Sequence, residues 1–246
     1  MSNAKKIALI TGANKGIGFE IARQLGEQGI TVLIGARDQA RGEEAAEKLR
    51  ADGLDARFVQ LDVTDQRTID AAVSAIEKGY GKLDVLVNNA AISLPEARTA
   101  PSTLPIDALR KIYDTNVFGV FAVTQAMLPL LRKSDAGRIV NMSSHVGILS
   151  VLADPNSQMP SYVKAILAYN SSKTAVNAIT VAFANELRET SIKVNAVSPG
   201  YVATDLNGHS GWLTPEQGAK VPVKYATLPA DGPTGGFFDE NGVVAW

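Results

Sequence analysis

Short β-branched runs alternate with stretches of helical periodicity along most of this chain, and that alternation leaves few folds open. Ile7-Ala8-Leu9-Ile10, Thr31-Val32-Leu33-Ile34, Arg57-Phe58-Val59-Gln60-Leu61 and Val85-Leu86-Val87 read as buried parallel strands. Between them, residues 16–28, 40–52 and 66–79 carry helix formers at helical spacing. The pattern predicts a long helix around 105–131, a strand at Arg138–Met142, a helix near 166–189 and a strand at Lys193–Val197. Strands alternating with helices of this length form right-handed βαβ units in a doubly wound sheet. No repeat, low-complexity tract or linker divides the chain, so residues 1–246 are expected to form a single α/β domain.

Two regions break the rhythm. Residues 148–164 hold Pro155 and Pro160 among Asp154, Asn156 and Ser157, which predicts a loop or short excursion. Residues 203–235 are rich in glycine and proline and are expected to supply a substrate loop, with a short helix starting at Thr214-Pro215-Glu216-Gln217. Leu206 and Trp212 in that segment suggest an apolar substrate, although a lone tryptophan in a loop also serves packing. The apolar end, Val243-Val244-Ala245-Trp246, either packs near the site or finishes the core.

Charge and composition remove several classes of function. A net charge of −1 with 24 basic and 25 acidic residues scattered together offers no face for tracking nucleic acid. The chain has no cysteine, hence no disulfide, thiolate nucleophile or thiolate metal site. Met1-Ser2-Asn3-Ala4-Lys5-Lys6 leads into the first strand without a secretory apolar segment, and no apolar run is long enough for a membrane span. A cytoplasmic protein is expected. The two histidines, His145 and His209, have no ligand cluster around them, so no catalytic metal is expected.

Thr11-Gly12-Ala13-Asn14-Lys15-Gly16-Ile17-Gly18 closes the first strand and opens the first helix. A pyrophosphate approaching backbone N–H groups at a helix N-terminus needs Gly12, Gly16 and Gly18 free of side chains. Three glycines also suit an ordinary turn; their place at the first βα junction favours dinucleotide binding. An acidic residue at the end of the second strand would accept from an adenosine ribose hydroxyl. Here Gly35-Ala36-Arg37 stands there, with Arg41 close behind. Arginine pairs with a 2′-phosphate instead, and Lys15 adds a second cation, so NADPH is expected; Asp38 argues the other way.

Among six tyrosines, only Tyr169 has a lysine four positions on, at Lys173. On a helix the two share a face, and an ammonium beside a phenol favours the phenolate. Bringing a tyrosine from about 10 toward 7 takes about 4 kcal/mol, which an adjacent cation aided by a nicotinium charge can supply. A phenol so tuned can protonate a carbonyl oxygen as hydride reaches the carbon. Asn141-Met142-Ser143-Ser144-His145-Val146-Gly147 ends a central strand, where ligands of doubly wound sheets lie. A serine–histidine hydrolase is disfavoured, since no G-x-S-x-G elbow surrounds Ser144 and neighbours on an extended segment point apart.

With these motifs in order, the chain resembles the short-chain dehydrogenase/reductase family over nearly its whole length, and within it the NADPH-dependent carbonyl reductases. Asp62-Val63, Asn88-Asn89-Ala90-Ala91, Asn116 and Ser198-Pro199-Gly200 with Thr204 extend the match. The resemblance implies a Rossmann-type fold with about seven parallel strands, the last near Gly236-Phe237-Phe238. It makes Tyr169 the general acid/base, with Lys173 lowering its pKa and binding the nicotinamide ribose. It has Ser144, three before Gly147, orient the carbonyl, and Asn116 hold a water that relays protons to Lys173. It assigns Gly12, Asn14, Lys15, Gly16, Ile17 and Gly18 to the pyrophosphate end and Asp62 and Val63 to adenine. Asn89 and Ala90 would meet the adenosine-side ribose, and Pro199, Gly200, Val202 and Thr204 the nicotinamide region. His145 would flank the substrate with Ser144 and Tyr169.

Two departures stand out: Ala91 replaces a usual glycine, and Ser144 lies 25 residues before Tyr169, about a dozen more than is common. The extra segment can cover helix faces through which relatives assemble, so a monomer is expected. The expected activity is reduction of an aldehyde or ketone. The rivals are an NAD-preferring alcohol or hydroxysteroid dehydrogenase and a dinucleotide-binding sensor without turnover.

Overall fold

The computed structural model describes residues 5–246, so the reading of Met1–Ala4 lies outside the described residues. The first half follows the expected alternation closely: β1 (Ile7–Thr11), α1 (Gly16–Glu27), β2 (Thr31–Ala36), α2 (Gln39–Ala51), β3 (Ala56–Gln60), α3 (Gln66–Tyr80) and β4 (Val85–Asn88). Then come α4 (Ile106–Tyr113), α5 (Gly119–Leu131), β5 (Arg138–Met142), α6 (Leu149–Ala153), α7 (Ser161–Lys164) and α8 (Leu167–Glu186). The chain closes with β6 (Lys193–Val197), α9 (Pro215–Ala226), β7 (Phe237–Asp239) and β8 (Gly242–Val244).

The sheet runs β3-β2-β1-β4-β5-β6-β7-β8. Every adjacent pair from β3 to β7 is parallel. Seven parallel strands were the expectation; an eighth, β8, folds back antiparallel onto β7. The two are joined by a two-residue turn at Glu240-Asn241, after which Gly242 opens β8 opposite Asp239 with φ 117°.

Alternation along the strands feeds two cores. Ala8, Ile10, Val32 and Ile34 pack with α1, α2 and α9, while Ile7, Leu9, Leu33 and Leu86 pack with α3, α5 and α8. Side chains on a strand point to opposite faces in turn, so a sheet with helices on both sides needs both sets apolar. The chain order reverses between β1 and β4, so the connections leaving their carboxyl ends run to helices on opposite faces of the sheet and leave a cleft at that edge.

Three expectations need correction. The predicted helix over 105–131 is not uniform: Asp114–Phe118 forms a π-helical turn between α4 and α5. Such a turn carries one residue more than an α-turn, which the apolar period does not register. The segment 148–164 is more ordered than a loop and contains α6 and α7. The helix expected to start at Thr214-Pro215 within 203–235 is longer than the short one foreseen: α9 runs twelve residues and packs on α1. A reciprocal capping box starts that helix: Thr214 Oγ1 accepts from the Gln217 N–H, and Gln217 Oε1 accepts from the Thr214 N–H. Pro222 lies inside it without ending it.

A polar ladder crosses the middle of the sheet. Asn88 Nδ2 donates to Asn141 Oδ1 at 2.8 Å and to Thr124 Oγ1 at 2.9 Å, and Asn141 Nδ2 donates to Thr180 Oγ1 at 2.9 Å. All four residues are buried, so each amide needs these partners. The ladder joins β4 and β5 to α5 and α8 directly beneath the cleft. Among the described residues, no helix is long and apolar enough to cross a membrane.

Candidate active site

A single cleft of about 1740 Å³ opens above the carboxyl edge of the sheet. Its dinucleotide-sized end is built from the β1–α1 junction. Gly12 and Gly16 take φ of 65° and 59°, backbone that side-chain-bearing residues rarely adopt. A Cβ on Gly18 would come within 2.5 Å of Asn89 Nδ2 and 2.8 Å of Gly12 O. The loop is therefore shaped by close packing as well as by its turn. It leaves the N-terminus of α1 facing the cleft with no acidic residue in its first turn, a cradle suited to a pyrophosphate.

The cradle is held from the neighbouring strand. Thr11 Oγ1 accepts from the N–H groups of Asn89 and Ala90 at 3.0 and 2.9 Å. Asn89 Nδ2 donates to Thr11 O at 2.8 Å and Gly12 O at 3.2 Å. Asn89 lines the cleft, but its amide donors serve the glycine loop.

Most of the residues singled out in the sequence meet in this one cleft. Asn14, Lys15 and Ile17 join the glycines there, with Arg37, Asp62, Val63 and Ala90 on the adjoining wall. Pro199, Gly200, Val202 and Thr204 lie across from them, and Ser144, His145, Tyr169 and Lys173 form the far end. Two residues stand apart: Arg41 and Asn116 are absent from the cleft wall. Arg41 is in the first turn of α2, and its N–H is capped by Asp38 Oδ1 at 2.9 Å. That bond also gives Asp38 its role. Its carboxylate starts a helix.

Asn116 falls in the π-helical turn and is fully buried. Its Oδ1 accepts from the Ile92 N–H at 2.8 Å, and its Nδ2 donates to Ile92 O at 3.0 Å and Ser172 Oγ at 3.2 Å. The carboxamide thus clamps the loop after β4 to α8.

The two serines after β5 have different environments. Ser143 Oγ donates to Asn177 Oδ1 at 2.5 Å and is buried. Ser144 Oγ accepts from the Val146 N–H at 3.4 Å, which leaves its own hydrogen free for the cleft. Gly147 packs so tightly on α8 that a Cβ there would lie 2.8 Å from the Lys173 carbonyl carbon. That contact presses the serine segment against the helix carrying Tyr169. His145 is turned aside: its Nε2 is 3.0 Å from Asp239 Oδ2 and its Nδ1 3.3 Å from Ser198 Oγ.

Lys173 and Tyr169 share one face of α8, with the ammonium 5.5 Å from the phenol ring centre. Lys173 Nζ donates to Met142 O at 2.8 Å, so its polar bond reaches β5 and not the phenol. Burial pushes the Tyr169 hydroxyl up to about 12 and the Lys173 ammonium down to about 8. The sequence-based expectation of a phenol lowered by its lysine does not describe this site by itself. Loss of water around both groups outweighs their attraction.

Among the groups missed in the sequence, the plainest is Asp205. Lys15 Nζ pairs with its Oδ2, and His209 Nε2 lies 2.7 Å from its Oδ1. A pairing across 190 positions leaves no trace in local spacing.

The family model for short chain dehydrogenases matches residues 6–211. The chain belongs to this family. A short-chain dehydrogenase/reductase 1 from Saponaria officinalis is 37% identical over 98% of this chain and 96% of its own. The carbonyl reductase [NADPH] 1 of Bos taurus is 36% identical over 100% of both chains. Among solved structures, an NADPH-bound carbonyl reductase from chicken fatty liver superposes with a TM-score of 0.84 at 27% identity, covering 98% of this chain and 99% of that one. This short-chain dehydrogenase is thus an oxidoreductase whose family resemblance extends over its full length.

Proposed function

We propose that this short-chain dehydrogenase reduces the carbonyl of an aldehyde or ketone with NADPH, Tyr169 donating the proton. The observation that carries this reading is the meeting of Ser144, Tyr169 and Lys173 in the same cleft as the glycine cradle. NADPH, when bound, supplies the hydride. Gly12, Gly16 and Gly18 leave room for its pyrophosphate, and Lys15 and Arg37 offer cations to its 2′-phosphate.

Ser144, with its hydroxyl hydrogen free, donates to the carbonyl oxygen and orients it toward Tyr169. A phenol at about 12 is fully protonated at neutral pH, the state a reduction requires. Lys173, one turn along, answers the negative charge left on the phenol oxygen once its proton has gone. A lysine brought down to about 8 is still mostly charged at pH 7. Asn116 keeps the loop after β4 against α8, so it positions the site from outside the cleft.

The apolar side of the substrate end is formed by Ile92, Leu94, Val151 and Leu206 with Trp212, which supports an apolar carbonyl compound as substrate. Loss of NADPH absorbance with a panel of ketones and aldehydes tests the reading. Turnover is expected with several of them and not with NADH at equal concentration. Faster turnover with NADH than with NADPH would favour the NAD-preferring dehydrogenase, and no turnover with any carbonyl would favour the sensor.

A further inference from the structure

The loop after β6 lies over the glycine cradle and is fastened to it. The nearest atom to a Cβ built on Gly16 would be Thr204 Cγ2, at 3.7 Å. From the next residue, Asp205 Oδ2 pairs with Lys15 Nζ, and its Oδ1 takes His209 Nε2 at 2.7 Å. Arg98, from the loop after β4, donates to Leu206 O at 2.7 Å across the cleft. His209 carries φ 60°, unusual for a residue with a side chain, and its N–H donates to Thr204 O at 2.9 Å. Asp205, Leu206 and His209 all line the cleft with Lys15.

One cation is therefore claimed twice. Lys15 is paired with Asp205 in this structure, and the reading above gives the same ammonium to the 2′-phosphate. Both anions are strong acceptors, and an exposed lysine pairs weakly enough to be exchanged between them. The geometry points to Asp205 as a coenzyme-selectivity residue that competes with the 2′-phosphate for Lys15. Recognition of the phosphorylated dinucleotide then frees the 204–209 loop from the glycine cradle. A coenzyme lacking that phosphate leaves the pair in place and the loop fastened. The contact thus trades NADPH affinity for a loop that responds to NADPH alone.

This inference rests on the NADPH reading, and a double-mutant cycle followed by calorimetric titration separates the two. NADPH and NADH are titrated into the wild type, Asp205→Asn, Lys15→Ala and the double variant. Asp205→Asn is expected to tighten NADPH roughly three- to fivefold, the range of an exposed ion pair, while leaving NADH within about twofold. In the Lys15→Ala background the same change is expected to have no effect on either coenzyme. Asp205→Asn that leaves NADPH affinity unchanged, weakens it, or tightens both coenzymes equally overturns the inference while leaving NADPH preference intact. A wild type that binds NADH as tightly as NADPH, with Lys15→Ala silent, overturns the NADPH reading and this inference together.

Discussion

The two ends of the cleft are built by different means. At the dinucleotide end, backbone does the shaping: positive-φ glycines, the α1 N-terminus and strand carbonyls held by Asn89. At the substrate end, side chains on loops do it: Ser144 after β5, His145 tied to Asp239, and Trp212 with 78% of its surface exposed beside Tyr201. Backbone shaping tolerates few substitutions, because a cradle without room for a Cβ accepts only glycine. Side-chain shaping allows the substrate end to change by exchanging residues without disturbing the sheet. The family can thus keep one coenzyme cradle and serve many substrates.

The comparison predicts a graded set of losses. Tyr169→Phe, at the chemical end, is expected to lower kcat by roughly 10²–10⁴, the usual contribution of a positioned general acid, with NADPH affinity unchanged. Stopped-flow turnover beside a binding titration checks both halves, and a variant that still turns over at a tenth of the normal rate would remove Tyr169 from its role.

Lys173 ties the comparison to stability. Its folded value of about 8 lies below the ordinary 10.5, so between those values the unfolded chain holds a proton that the folded chain has released. Stability therefore rises with pH across that window, and below pH 8 the penalty for burying the charge is fully present. Relative to Lys173→Met, the wild type is expected to gain about 1–2 kcal/mol from pH 8 to 9.5. Urea unfolding of both proteins at the two pH values measures the difference, and parallel pH profiles would contradict the burial argument.

Gly18→Val tests the cradle. Its added carbons would meet Asn89 and Gly12, at an overpacking cost of about 1–3 kcal/mol. NADPH binding is expected to weaken about tenfold or more, with KM for the carbonyl substrate little changed. The smallest effect belongs to Trp212→Ala. It is expected to alter stability by less than about 0.5 kcal/mol, since so exposed a ring packs on little. KM for bulky ketones should rise several-fold while KM for small ones stays level. Equal changes for both sizes would mean that the indole does not contact substrate.

How much of this was legible in the sequence follows the same division. The strands at Arg138–Met142 and Lys193–Val197 and the helices after β1, β2 and β3 coincide with their apolar patterns within a residue or so. Local periodicity determines such elements directly. Gly12, Tyr169 and Lys173 were visible because their spacing follows from one turn or one helix face. The Asn88–Asn141–Thr180 ladder was not, because asparagine in a strand looks unfavourable until its partner across the sheet is known. Lys15 looked like a free cation for the same reason, and Asp205 supplied what local reading lacks. Tyr169 shows another limit: helical spacing shows that a lysine is near, but not how little water surrounds the pair.

The π-helical turn at Asp114–Phe118 has an evolutionary consequence. A surplus residue in a helix acts as a phase shifter: everything after it is rotated about 100° from where an unbroken α-helix would put it. Deleting one residue there, such as Val117, would leave a smoother helix and a foldable chain. It would also swing Asn116 out of register with Ile92 or displace the apolar stripe of α5 from the sheet. The length of that turn is therefore locked by two partners that it must face at once, Ile92 through Asn116 and the sheet through α5.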